Sequence, residues 1–300
     1  MAAGASGQLD VGGRRLTIRH LERVVFPRTG TTKGELLDYY VRVGPFMLPH
    51  LRERLLHMHR YPEGVEGPRF WQKACPEHRP DWMPVAPVWS VDKQANIDYC
   101  VVNELAGLLW AVNLGSIELH TSLHLGGDLH RPTSIAFDLD PGEGVGVLHC
   151  GEVALRLRAL FEEMQREAFV KTSGSKGLQV YVPAREPLTY AESKPTAKAV
   201  AELLERERPD AVVSRMAKSL RAGKVLVDWS QNTEHKSMVC AYSVRAKERP
   251  TVSTPLRWSE LEEAIDAGDP DMLVFETGDV LDRVGELGDL FEAVATPGKS

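Results

Sequence analysis

The sequence of 300 residues has no apolar run near the roughly 18 residues that a membrane-spanning helix needs. Residues 1–7 are small and lack the charged and apolar regions of a signal peptide. The expectation is a cytoplasmic protein with no membrane partner. Cysteine is scarce: Cys75, Cys100, Cys150 and Cys240 are widely spread, with no C-x-x-C pair. That spacing argues against a disulfide scaffold and predicts reduced thiols that serve as packing residues. Cys75-x-x-His78, with His57 and His59 nearby, offers half of a zinc site, but no second half follows it. No internal repeat is visible.

The net charge of −6 is unevenly placed. From Arg257 onward 12 acidic residues face 3 basic ones, which leaves the first 256 residues with 33 basic against 30 acidic. Between Arg14 and Lys33 lie six basic residues and a single acid, Glu22. Acidity therefore concentrates in the tail, and basic surface remains for a polyanion elsewhere.

Residues 1–13 are Gly- and Ala-rich without an apolar period and read as disordered, and 14–300 as one domain. A turn at Gly30–Gly34 lets Thr31 or Thr32 cap a helix that starts near Lys33 and reaches about Arg54. Strands are predicted at 55–61, 97–102, 117–123, 169–172, 178–182 and 225–228. Helices are predicted at 103–113, 148–167 and 193–208, with two short ones near 259–267 and 279–294. Strands and helices mix without strict alternation, which predicts an α+β fold. Trp89, Trp110, Trp229 and Trp258 read as core or rim aromatics.

The stretch Ser134–Gly142 ends an apolar strand in Asp138 and Asp140, and Pro141-Gly142 then stops it. Alternate positions on a strand share a face, so the two carboxylates repel unless a cation sits between them. A divalent metal answers that need, although a lone D-x-D is equally the acidic turn that closes a strand. Two further segments bear on the choice. Thr172–Gln179 places Ser173, Lys176 and exposed backbone N–H groups in a Gly-rich turn, suited to phosphate. It is also readable as a hairpin with a solvated lysine, and no helix follows it as a P-loop would require. Lys218–Trp229 delivers Asp228 on a third strand end, preceded by Arg221 and Lys224. Three acids on two strand ends suit a two-metal phosphoryl or nucleotidyl transfer.

The ordered set FDLDPGEG (137–144), TSGSKGLQVYVP (172–183) and KSLRAGKVLVDWSQN (218–232) resembles the polymerase domain of bacterial ligase D, within the archaeo-eukaryotic primase superfamily. GTTKG (30–34), RYPEG (60–64), FWQK (70–73) and TPLRW (254–258) resemble it too, so the likeness runs from about Leu16 to Glu292. The resemblance implies a two-lobed primase-polymerase fold with a central, largely antiparallel sheet flanked by helices. It implies that Asp138, Asp140 and Asp228 hold two divalent ions, Mn²⁺ or Mg²⁺. His120, Ser173, Lys176, Gln179, Arg221 and Arg245 would bind the NTP or dNTP. His20, Arg23 and Lys33 would grip the 5′-phosphate of a gapped or broken DNA end, and Phe70 or Trp71 would stack on a base, a contact worth about 1–3 kcal/mol. The implied activity adds nucleotides, often ribonucleotides, to a DNA 3′ end in end joining or short-gap repair. Implied partners are DNA, a DNA ligase and a Ku-type end-binding protein, at the nucleoid. No K-x-D-G ligase motif occurs in the chain. Three positions depart from the family pattern: Gln179 stands for a histidine, Arg23 for a lysine and His59 for a basic residue. A phosphatase or a D-x-D glycosyltransferase fits less well, because Pro141 follows the pair in mid-chain. A non-catalytic module that binds 5′-phosphorylated DNA ends is the other alternative.

Overall fold

The computed structural model describes residues 6–295. Two larger sheets, each with its own hydrophobic cluster, organise the chain, and helices among their strands give the mixed α+β class. Ser6–Val11 pairs antiparallel with Arg14–Arg19. This corrects the expectation of disorder over 6–13, while residues 1–5 lie outside the described residues. Gly12 and Gly13 both take positive φ (57° and 80°), the requirement of a tight two-residue hairpin turn. The first strand is largely exposed and thus shows no apolar period, whereas its partner buries Leu16 and Ile18.

The helix Lys33–Leu51 starts at a capping box. Thr32 Oγ1 accepts from the Glu35 N–H at 3.2 Å, and Glu35 returns a carboxylate oxygen to the Thr32 N–H at 2.7 Å. Its Leu36, Leu37, Tyr40, Val43 and Met47 enter the first cluster. It stops three residues before the expected end, because Glu53 turns left-handed (φ 59°) and Arg54 opens the next strand. That strand, Arg54–Arg60, pairs with Phe70–Gln72 on one side and Ser116–Leu125 on the other.

The second sheet has six strands, ordered Val212–Val213, Val225–Asp228, Ser134–Pro141, Leu178–Pro183, Phe169–Thr172, Pro255–Leu256. Every neighbour is antiparallel except the first pair. Alternation sorts its side chains into two layers. Ile135, Phe137, Leu139, Val180 and Val182 pack on the helices Val147–Glu163 and Tyr190–Glu207 in the second cluster. Ala136 and Tyr181 turn the other way, into the first cluster. Asp138, Asp140 and Gln179 share that second direction, so the sheet presents its polar residues toward the first lobe.

The sequence reading of four reduced thiols is overturned. Cys75 and Cys100 form a disulfide, with Cα atoms 4.9 Å apart, while Cys150 and Cys240 are free and buried. The Cys75 N–H donates to Asp98 O at 2.7 Å, which lays the 73–80 segment against the strand that ends in Cys100. Tertiary pairing of this kind leaves no spacing signature. Trp89 is 56% exposed on the Val85–Ser90 strand and so belongs to neither core nor rim. No helix among the described residues is long and apolar enough to cross a membrane.

Candidate functional site

Register aligns the acidic residues. Asp138 stands opposite Asp228 on one neighbouring strand and opposite Gln179 on the other, and Gln179 stands opposite Lys171. A polar row thus crosses four strands. Gln179 Nε2 donates to Asp138 Oδ1 at 3.0 Å, and Lys171 Nζ donates to Gln179 Oε1 and Ser253 Oγ, each at 2.5 Å. Gln179 therefore spends both ends of its amide inside the row. Lys171 is 1% exposed, a buried amine that burial lowers to about 7, and the sequence reading missed it.

The carboxylates feel one another. Burial, then Asp140 and Asp228, pushes Asp138 up to about 7 against the pull of Gln179 and Lys171. Burial and Asp228 raise Asp140, opposed by Arg221 and Arg245. Among the described residues no three His, Cys, Asp or Glu side chains converge into a metal cage. Asp228 shows why: Oδ1 accepts from the N–H and hydroxyl of Ser230, Oδ2 accepts from Gln231 Nε2, and Lys236 Nζ lies 3.9 Å away. The donor set itself, three hard carboxylates on adjoining strand ends, fits a divalent cation such as Mg²⁺ or Mn²⁺.

Cations stand around these acids. Arg221 Nη2 donates to Met216 O, and Arg245 Nη1 donates to Ser173 O in the 173–177 turn. Both arginines keep a buried Nε–H with no hydrogen-bond partner. Arg245 Nε does approach Glu118 Oε1 to 3.3 Å, an ion pair whose N–H is not aligned as a hydrogen bond. Ser173 Oγ accepts from the Ser175 and Gly177 N–H groups at 3.2 Å each, which shapes the turn, and Lys176 is exposed on it. Lys176 also lines a cavity of about 380 Å³ with Arg28, Lys247 and Arg249, cations the sequence reading did not single out.

On the first lobe, His59, Trp71, Glu118 and His120 share one sheet face, since His59 pairs with both Trp71 and Glu118. Trp71 stacks on His59 (centroids 4.3 Å, 7°) and meets His120 edge-on at 4.8 Å. Phe70 turns to the opposite face, where the Arg60 guanidinium lies 5.1 Å from its ring centre. Of the two aromatics, Trp71 is thus the one beside His120. Glu118 was missed too, although E-x-H on a strand already puts it on the face of His120.

His20, Arg23 and Lys33 line a separate cavity of about 550 Å³, joined there by Arg15, Arg19 and Arg60. Lys33 Nζ donates to Arg19 O at 2.9 Å and Asn113 Oδ1 at 2.7 Å. Burial and the Arg23 charge lower Lys33 to about 8, against Glu22. Arg23 Nη1 donates to Pro62 O, and His20 takes a positive φ of 57° at the bend before it. Apart from Phe70, the sequence-predicted residues therefore sort into three groups: the acid row with Arg221, Arg245 and the 173–177 turn; the Trp71–His120 face; and this basic cavity.

The family model for the LigD primase-polymerase domain matches residues 32–291. The multifunctional non-homologous end joining protein LigD of Mycolicibacterium smegmatis is 38% identical over 278 residues, covering 92% of this chain and 35% of that protein. The LigD of Mycobacterium tuberculosis H37Rv is 37% identical over 287 residues, 93% of this chain and 37% of that protein. The chain thus spans little more than a third of these relatives. A solved structure described as the polymerase domain from Mycobacterium tuberculosis ligase D in complex with DNA superposes with a TM-score of 0.87 at 36% identity, covering 94% of this chain and 98% of that one. The fold is that of the LigD polymerase domain, and the chain belongs to the LigD primase-polymerase domain family.

Proposed function

We propose that the chain, from residue 14 onward, is one nucleotidyltransferase unit that adds ribo- or deoxynucleotides to a DNA 3′ end, in double-strand-break end joining or short-gap repair. The observation that carries this reading is the convergence of Arg221 and Arg245 on Asp140, with the buried Nε–H of Arg221 left without a hydrogen-bond acceptor. Buried donors without acceptors are costly, and a bound polyphosphate supplies the acceptors. Asp138, Asp140 and Asp228 would hold two divalent ions. When bound, these lower the pKa of an attacking hydroxyl and neutralise charge on the leaving pyrophosphate. Arg221, Arg245, Ser173 and Lys176 orient the triphosphate, Gln179 positions Asp138, and Trp71 with His120 faces the base. The cavity of His20, Arg23 and Lys33 receives the 5′-phosphate on the far side of a gap, which brings the 3′ end to the acids. A DNA ligase is the partner such a reaction needs, because the product still carries a nick, and a Ku-type end-binding protein is the partner that end joining would add.

The basic cavity also favours a second reading, a DNA-end-binding module without catalysis. Labelled-nucleotide incorporation on a gapped, 5′-phosphorylated duplex separates the two. The enzyme reading expects template-directed extension that needs Mn²⁺ and stops with chelator. Binding to the duplex without any extension would leave the end-binding reading.

A further inference from the structure

Glu118 ties the two ends of the nucleotide site to one carboxylate. The residue is 4% exposed, on the strand Ser116–Leu125. Its Oε2 accepts from His120 Nε2 at 3.0 Å and lies 3.5 Å from His59 Nδ1. Its Oε1 accepts from the Ala246 N–H at 3.0 Å and lies 3.3 Å from Arg245 Nε. One oxygen thus serves the side chains of the base end, and the other serves the arginine of the phosphate end. Burial alone would raise this carboxyl, yet His120, His59 and Arg245 hold it well below the usual range.

Each end has a further contact beside Glu118. Trp71 is 53% exposed and is held by its stack on His59 and its edge contact with His120, so its outer face is open to a base. His59 in turn reaches Tyr61 Oη at 3.1 Å and Glu118. Arg245 is gripped between Glu118 and the 173–177 turn through Ser173 O. Gly174 makes that grip possible. It sits at φ 63°, and a Cβ there would come within 2.7 Å of Arg245 Cγ and of Ser253 N.

We propose that Glu118 is a positioning residue that couples base recognition by Trp71 and His120 to phosphate recognition by Arg245. The proposal rests on the nucleotide-binding reading above. The chemistry requires a carboxylate. Both of its oxygens accept, whereas a glutamine amide accepts at one end and presents an NH₂ at the other. Glu118→Gln keeps the shape and must face one set of donors with a donor. Preorganised groups lower the ordering cost of binding, so loosening both ends weakens a ligand that spans them by more than either end alone.

The test is calorimetric titration of the whole chain with three probes: adenosine, inorganic tripolyphosphate, and ATP with Mn²⁺. Trp71→Ala is expected to weaken adenosine alone, and Arg245→Met tripolyphosphate alone. Glu118→Gln is expected to weaken both, and ATP by about tenfold or more, the scale of one charge-assisted hydrogen bond. Loss at one end only, or at neither, in a folded Glu118→Gln protein overturns the coupling. Should that variant not fold, the Trp71→Ala, Arg245→Met cycle on ATP affinity decides instead: coupling predicts a non-additive double variant, and additivity overturns it. Wild-type protein that binds none of the probes overturns the nucleotide reading itself, whereas an unchanged Glu118→Gln beside a binding wild type overturns only the coupling.

Discussion

Lys33 shows how a single residue is read twice. In the sequence it is one of six basic residues between Arg14 and Lys33, visible as charge without a partner. In the fold its ammonium is held by Arg19 O and Asn113 Oδ1, and burial beside Arg23 lowers it to about 8. The cation is present below pH 8 and is lost as pH rises through that value. Affinity for a 5′-phosphorylated gapped duplex should therefore fall above pH 8, by at most about tenfold per pH unit, and Lys33→Arg should stay flat, because arginine keeps its charge. Fluorescence anisotropy from pH 7 to 9.5, with a 5′-hydroxyl duplex as reference, reads this out. A fall of equal size for the hydroxyl end would remove Lys33 from phosphate recognition. The aspartates were legible because charge at the end of an apolar strand is conspicuous in any sequence. Lys171 and Glu118 were not, since each is one charged residue in a strand whose partners, Gln179 and Ser253 or Arg245 and Ala246, lie far along the chain.

Elements with strong local signals were found nearly to the residue. Val225–Asp228 and Phe169–Thr172 are as expected, and the Thr32 cap fixes the start of the first long helix. Short edge strands such as Thr31–Thr32, Val212–Val213 and Pro255–Leu256 were missed, because two residues carry no period. The hairpin of Val85–Ser90 and Ala95–Cys100 was half seen, with only its second strand expected. Its staple, Cys75–Cys100, closes a loop of 25 residues. A cross-link of that span restricts the unfolded chain by about 2–4 kcal/mol. Reduction with dithiothreitol should lower the unfolding free energy from urea titration by that amount, and the midpoint with it, with little change in the folded far-UV spectrum. An unchanged midpoint would mean that the bond adds nothing to stability in solution.

At the scale of the molecule, alternation along the Ser134–Pro141 strand decides the architecture, with Phe137 and Leu139 in one core, Ala136 in the other, and the acids at the end of the face they share with Ala136. The facing sheet buries His57 and His124. Burial first, then Lys73, lowers His57 to about 3, and burial with Arg54 lowers His124 to about 4. Both stay neutral in the fold, while the unfolded chain binds their protons below about 6.5. Each therefore removes stability as pH falls from about 6.5 toward its folded value. Asp138, raised to about 7, works in the opposite direction. A comparison isolates one histidine: between pH 6 and 4, His57→Gln should lose stability less steeply than wild type by about 1.4 kcal/mol per pH unit. Equal slopes in urea titrations would show that His57 protonates in the fold. The proposed role of the three strand-end acids is catalytic. It is tested most directly by nucleotide incorporation on a gapped, 5′-phosphorylated duplex with Mn²⁺, comparing wild type with Asp138→Ala and Asp228→Ala. Wild type should extend the primer and both variants should lose about 10³-fold or more, about 4 kcal/mol of transition-state stabilisation, with duplex binding retained. Full extension by either variant would contradict that role.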